Sequence, residues 1–321
     1  MTTVSPPISP AFRCGYVAII GEPNVGKSTL MNGLLQQKIS IVTKKPQTTR
    51  HRILGIMTTD AYQAVFLDTP GIIQPRYALH EAMMDSAASA VGDADVILFM
   101  VDASKQPREG DAQEDSILAG LPSQSRPVYL VLNKVDIVEK PLLLPLIEKY
   151  AARHPFREIF PVSALTLEGT AALMASVSSD LPVHPPLYPA DIVSEHHDRF
   201  FVAEIIREKI FIRCQEEVPY STTVEITEFI ERGAAAEGEP EPAARQKSQK
   251  WFISADVYVE RDSQKGILIG KKGAMLKEIG ELARRDIERF LDHKVFLDLH
   301  VRVRTGWRGD REWLDHQGYG R

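Results

Sequence analysis

Residues 21–28, Gly-Glu-Pro-Asn-Val-Gly-Lys-Ser, constrain this chain more than any other stretch. They follow an apolar run at 16–20 and precede a helical pattern at 30–35, so the spacing predicts a strand, a glycine-rich turn and a helix. In such a turn successive backbone N–H groups point inward, and the helix N-terminus adds positive potential, which together cradle a phosphate chain. The bare pattern arises by chance in roughly one chain of this length in a hundred at average residue usage. The candidate phosphate ligands are therefore Gly21, Glu22, Pro23, Asn24, Val25, Gly26, Lys27, Ser28 and Thr29. Lys27 is placed to reach the β- and γ-phosphates, and the Ser28 hydroxyl to bind Mg²⁺.

Through residue 180, short apolar runs alternate with helical patterns. Residues 16–20, 64–67, 96–101, 128–132 and 159–162 are predicted strands; 30–35, 81–91, 142–152 and 169–177 are predicted helices. That alternation predicts an α/β fold, a mostly parallel sheet between helices. Residues 53–57 before 62–67 predict a hairpin at the sheet edge.

Three further motifs end predicted strands in a fixed order. Asp68-Thr69-Pro70-Gly71 puts a carboxylate where it would hold the Mg²⁺ shell and the Gly71 N–H where it would sense a γ-phosphate. In Asn133-Lys134-Val135-Asp136 the Asp136 carboxylate would accept both N1–H and N2–H of guanine, which adenine cannot offer. Asn133 would fix the loop and Lys134 would lie along the base. Ser163-Ala164 offers a backbone N–H to the guanine O6. Between the first two motifs lies the polar stretch 45–52, KPQTTRHR, where one threonine must close on the γ-phosphate and Mg²⁺. Thr49 is the preferred residue and Thr48 the alternative. Lys27, Thr49 and Gly71 are the candidate catalytic groups, and Ser28, Thr49 and Asp68 the candidate metal ligands.

Beyond residue 180 the pattern changes. Residues 181–192 carry four prolines and read as a linker. The remainder is predicted as helix–strand–strand–helix–helix–strand over 193–312, with 233–250 a flexible insertion, 313–321 a tail and 1–14 a disordered leader. Gly270-Lys271-Lys272-Gly273 falls between the two consecutive helices, where a bare main chain admits an RNA backbone and the lysines meet phosphate. Ile267, with Leu268 and Ile269, would form an apolar floor under the bases. Trp251, Trp307 and Trp313 are candidates to stack on bases, although packing is the commoner fate of tryptophan.

These motifs, GEPNVGKS, QTTRHR, DTPG, NKVD and SA in this order, resemble the TrmE–Era branch of translation-related GTPases. Residues 199–209 (RFFVAEIIREK), 219–226 (PYSTTVEI), 270–273 and 301–307 are similar to the RNA-binding end of the Era family in particular. The resemblance runs from Gly15 onward and lapses at 233–250. It implies a GTPase domain over 15–180 followed by an α+β type II KH domain. It implies hydrolysis of GTP to GDP and phosphate, and binding to the 3′ end of 16S ribosomal RNA. Assistance to 30S subunit assembly, a link to cell-cycle progression and a monomeric state are also implied. So is a cytoplasmic place with peripheral association at the inner face of the cell membrane. In related TrmE-like proteins the residue matching Asn24 helps hold a K⁺, which adds K⁺ to GTP, GDP and Mg²⁺ as an expected cofactor.

Ras-like proteins orient the attacking water with a glutamine just after the DxxG glycine. Here that position is Ile72, and an aliphatic side chain cannot polarise water, so slow turnover is expected. The chain carries a net charge of −5, yet from Lys265 on it has 13 Lys and Arg against 9 Asp and Glu. That asymmetry points the second half toward a polyanion. Cys14 and Cys214 are the only cysteines, which fits a reducing compartment and leaves no metal-ligand spacing.

Overall fold

The computed structural model describes residues 11–105, 112–122, 125–231 and 250–319. Its first half is a six-stranded sheet built from β1 (Arg13–Ile20), β2 (Ile53–Thr58), β3 (Tyr62–Asp68), β4 (Val96–Asp102), β5 (Val128–Asn133) and β6 (Glu158–Pro161). The strand order is β2-β3-β1-β4-β5-β6. Only β2 runs antiparallel, pairing with β3 as the edge hairpin expected from the sequence. The other pairs are parallel, and β1 sits centrally between β3 and β4.

Helices cover both faces: α1 (Lys27–Leu35), α2 (Ala78–Asp93), α3 (Ala112–Gly120), α4 (Leu143–Ala151) and α5 (Thr170–Asp180). Because each strand is covered twice, alternate residues feed two different cores. Val17 and Ile19 join one cluster with Leu30 and Leu173; Ala18 and Ile20 join the other with Leu118 and Tyr150. This is why the strands read as unbroken apolar runs. The parallel arrangement also brings the C-terminal ends of β1, β3, β4, β5 and β6 to one rim, where the nucleotide motifs that follow these strands sit.

The second half is a three-stranded sheet of β7 (Thr223–Ile230), β8 (Trp251–Val259) and β9 (Val295–Val303), with β8 parallel to β9 and antiparallel to β7. One face is covered by α6 (Asp198–Arg213), α7 (Asp262–Ile269) and α8 (Ala274–Leu291). The order is the helix–strand–strand–helix–helix–strand expected of the second half.

Three sequence expectations change. The stretch read as a leader already contributes Arg13 and Cys14 to β1, because Val17–Ile20 alone does not span the register with β3; residues 1–10 lie outside the described residues. The proline-rich linker is strapped down: Val183 bridges to Arg13, and the Gln63 side chain accepts from the N–H groups of Leu187 and Tyr188. The stretch read as a tail holds a further short helix, α9 (Arg311–His316), and Leu314 and Tyr319 are buried with Trp307 against Leu79 and Met83 of α2. The expected insertion at 233–250 lies outside the described residues except for Lys250.

Candidate nucleotide site and nucleic-acid groove

The turn after β1 owes its shape to glycine. Gly26 adopts φ 104°, and a Cβ there would meet the Asn133 amide nitrogen at 2.3 Å. The closeness is structural: Asn133 Nδ2 donates to Val25 O at 2.7 Å, while its Oδ1 accepts from Ala164 N at 2.8 Å. One asparagine thus ties the phosphate loop to both guanine-side motifs. Lys27 is buried and donates to the carbonyls of Gly21 and Glu22 at 3.0 and 2.9 Å. Burial lowers its pKa to about 8, against the opposing pull of Asp68 and Glu22.

Ser28 Oγ donates to Asp68 Oδ2 at 2.6 Å and lies 2.9 Å from Thr49 Oγ1. The Thr48 hydroxyl instead donates to Lys45 O at 2.8 Å and lies 2.7 Å from that of Thr43, so Thr49 is the threonine brought to Ser28 and Asp68. Ser40, which the sequence reading passed over, also donates to Asp68 Oδ2, at 2.7 Å. The other carboxylate oxygen, Oδ1, is buried with no partner among the described residues. Burial raises the Asp68 pKa, and the Ser28 and Ser40 hydroxyls and Lys27 counter it. Two hydroxyls and a carboxylate with a spare buried oxygen are a hard-oxygen donor set that fits Mg²⁺. The Gly71 turn leans on the phosphate loop, with Ile72 N donating to Gly21 O at 3.1 Å, and the Thr69 hydroxyl is anchored on Ile19 O.

One pocket of about 590 Å³ is lined by Lys27, Ser28, Gln47, Thr49, Gly71, Asn133, Asp136 and Ala164 among others, while Asp68 and Ser163 are fully buried behind it and do not line it. Asp136 is exposed within it. Lys134, at φ 69°, forms an ion pair of 2.6 Å with Asp102 at the end of β4. Burial alone would raise the Asp102 pKa; the bonds from Lys134 and Ser104 outweigh it and hold it below the usual value. Asp102 escaped the sequence reading because its partner lies on another strand. Ile137 and Leu165, 67% and 77% exposed, also line the pocket beside Asp136 and Ala164 and were likewise missed.

The loop carrying Thr48 and Thr49 is bound to the second half of the chain. Arg50 is buried and donates to the carbonyls of Thr222, Pro219 and Tyr220 at 2.8, 3.0 and 2.9 Å. Arg207 of α6 donates to Thr48 O at 2.5 Å and pairs with Glu204. Lys45 donates to the carbonyls of Phe211 and Cys214, and Lys38 pairs with Glu208. The charged side of α6 is therefore not a solvated face but the seam between the domains.

In the second domain, Gly270 (φ 70°) and Gly273 (φ 79°) open and close the turn between α7 and α8, and Lys271 and Lys272 are exposed on it. A Cβ on Gly270 would lie 2.7 Å from that of Met275, so the close turn requires glycine. From Gly273 a groove of about 650 Å³ runs between α8 and the edge strand β9, lined by Leu276, Lys277, Gly280, Arg284, Phe296, Leu297 and Leu299 among others. Gly273 alone of the five predicted RNA residues lines it. Ile267 is 52% exposed but lies outside the lining, and Leu268 is fully buried because it faces the core side of α7. The apolar side chains that line this groove come from α8 and β9. Trp307 is also fully buried, its indole N–H on Ser221 O at 3.1 Å, so it cannot stack on a base.

Comparisons with known proteins agree with this division. A family model described as a 50S ribosome-binding GTPase matches residues 16–134, and a KH domain model matches residues 217–308. GTPase Era of Geobacter metallireducens is 48% identical over 308 residues, covering 96% of this chain and 98% of that protein. GTPase Era of Geotalea uraniireducens is 49% identical over the same length and the same shares. A crystal structure of a point variant of Aquifex aeolicus Era bound to GDP·AlF₄⁻ superposes with a TM-score of 0.87 at 38% identity, covering 97% of this chain and 100% of that one. Another, of Era in complex with MgGDPNP and nucleotides 1506–1542 of 16S ribosomal RNA, gives 0.88 at the same identity and coverage. With the nucleotide motifs gathered in one pocket and a KH fold behind them, the chain belongs to the Era family and is a GTPase.

Proposed function

We propose that this GTPase is a slow, nucleotide-controlled RNA binder that acts on the 3′ end of 16S ribosomal RNA and assists assembly of the 30S subunit. One observation carries the reading: the loop bearing Thr49 is fastened to the KH domain by Arg50, Arg207 and Lys45. A loop that changes with the terminal phosphate must then move or release the RNA-binding half. The Era structure in complex with 16S nucleotides supports the choice of RNA. The basic turn at Lys271 and Lys272 and the groove behind it suit a single strand, with backbone at the glycines and bases against Leu276, Leu297 and Leu299.

In the nucleotide pocket, Asp136 would accept from the guanine edge, Ala164 N would meet O6, and Ile137 and Leu165 would flank the base. Lys27 would reach the β- and γ-phosphates, and Ser28, Thr49 and Asp68 would hold Mg²⁺, which when bound offsets the charge on those phosphates. Asn24 ties the phosphate loop to Lys44 O at 3.1 Å, and a K⁺ held there would speed hydrolysis over Na⁺. A monomeric state, a cytoplasmic place with peripheral contact at the inner membrane face, and a link to cell-cycle progression complete the proposal on the family resemblance alone. No helix among the described residues is long and apolar enough to cross a membrane.

The test is a titration of the purified protein with short single-stranded RNAs, one containing ACCUCC, under a GTP analogue and under GDP. Tighter binding of that oligomer in one nucleotide state is expected. Binding blind to both sequence and nucleotide would sink the switch while leaving the GTPase standing.

A further inference from the structure

GTP hydrolysis needs a group that holds the attacking water, and the residue after Gly71 cannot supply it. Ile72 packs its side chain against the apolar cluster under α2 and α3. Most of the polar side chains that line the pocket from the phosphate loop and the threonine loop are committed. Lys27 donates to the carbonyls of Gly21 and Glu22, and the Ser28 and Thr49 hydroxyls belong to the donor set proposed for Mg²⁺. Asn24 holds Lys44 O, and the Thr48 hydroxyl is engaged with Lys45 O and Thr43. Gln47 is left.

Two features set Gln47 apart. Its backbone sits at φ 57°, in the left-handed region that is strained for a non-glycine residue, a conformation that tends to persist where a site uses it. Its side chain is also held: Oε1 lies 3.2 Å from Nε2 of His80, a residue of α2 that is 4% exposed and packs against the Tyr77 ring, centroids 3.9 Å apart and tilted by 31°. Burial, reinforced by the positive charges of Arg50, Arg308 and Arg76, lowers the His80 pKa to about 4, so the ring is neutral and carries one N–H. Nδ1 is buried without a partner among the described residues, which suits the bare nitrogen and assigns the proton to Nε2.

From this geometry we infer that Gln47 is a catalytic residue that orients the attacking water, and that His80 is the positioning residue that aims it. The amide oxygen has two lone pairs: one accepts from His80, and the other accepts from the water. The amide N–H₂ is free to donate to a γ-phosphate oxygen. The water oxygen bonds to the γ-phosphorus as the bond to the β–γ bridging oxygen breaks. The bonding pair leaves with GDP, and both hydrogens of the water end on the released phosphate, which leaves as dihydrogen phosphate; Gln47 takes no proton. The inference rests on Thr49 and Gly71 marking the terminal-phosphate end.

Single-turnover hydrolysis, together with titration of a fluorescent GTP analogue, tests it. Gln47→Ala is expected to slow hydrolysis roughly ten- to a hundredfold with analogue affinity within about twofold. His80→Leu should slow it less, also without loss of affinity, and His80→Gln, which restores an N–H donor, should recover part of the rate. Ile72→Ala should stay within a few-fold of the parent. A Gln47→Ala rate within about threefold of the parent would overturn the inference, as would a fall in affinity large enough to account for the lost rate. Thr49→Ala separates the two readings: if it hydrolyses normally, the placement of the phosphate end is wrong, whatever Gln47 does.

Discussion

The guanidinium of Arg50 donates to the carbonyl of Thr222 at 2.8 Å, joining the residue after Thr49 to the residue just before β7, the first strand of the KH domain. Two more carbonyls, of Pro219 and Tyr220, also accept from it, and a planar fork of donors can satisfy all three at once. Removing it leaves buried acceptors without partners. Arg50→Ala should therefore cost roughly 2–4 kcal/mol in urea denaturation. Arg50→Lys should recover little, since a point charge on a flexible stem cannot span three carbonyls. A lysine variant as stable as the parent would show that charge alone, not the fork, joins the domains.

Asp136 is the residue proposed to read guanine, and it is exposed in the pocket where a base could reach its carboxylate. Asp136→Asn replaces an acceptor pair by one acceptor and one donor, which matches xanthine better than guanine. Competition between GDP and XDP should shift toward XDP by tenfold or more, on the order of the 1–2 kcal/mol carried by one mispaired buried hydrogen bond. An unchanged preference would remove the guanine assignment.

The nucleotide motifs were legible because each is a local stretch whose backbone turns dictate its residues. Gly26 must be glycine beside Asn133, and both can be named from the chain alone. The strands were legible because burial on two faces leaves an unbroken apolar run. What stayed hidden involves partners without a sequence signature. The acceptors of Arg50, Arg207 and Lys45 are main-chain carbonyls, which any residue supplies. Lys134 finds Asp102 only once β4 and β5 pair. Helix α3 has too weak an apolar periodicity to be seen, and Tyr319 is buried by a domain contact no local pattern encodes.

His51 sits in that contact, its ring stacked on Tyr319 at 4.3 Å and edge-on to Phe200 at 5.4 Å. Burial lowers its pKa to about 4; nearby Glu204 works against this, while Arg207 and His196 add to it. An unfolded histidine titrates near 6.5, so between these values the unfolded chain binds the extra proton. The stability this neutral ring contributes is whole above about pH 6.5 and is lost as pH falls toward 4, by up to about 1.4 kcal/mol per unit. His51→Phe keeps the stack and removes the titration. Thermal midpoints measured from pH 7.5 to 5 should fall less steeply for the variant, and parallel slopes would remove His51 as the sensitive group.

Lys271 and Lys272 give the KH turn its charge, and both are exposed, so their replacement should leave the fold alone. Each phosphate neutralised on a single strand contributes about −0.7 to the slope of log affinity against log salt. Replacing both by alanine should weaken RNA binding and make that slope shallower by about 1.4, with the thermal midpoint unchanged. The two readouts separate charge from shape. If the glycines alone admitted the RNA, affinity would survive the double substitution and the slope would stand. If Leu276, Leu297 and Leu299 carried most of the binding, affinity would fall little and the remaining interaction would resist salt. A loss of affinity with the slope intact would mean that the lysines shape the turn rather than meet phosphate, and the phosphate contacts would then have to come from Lys277 and Arg284 along the groove.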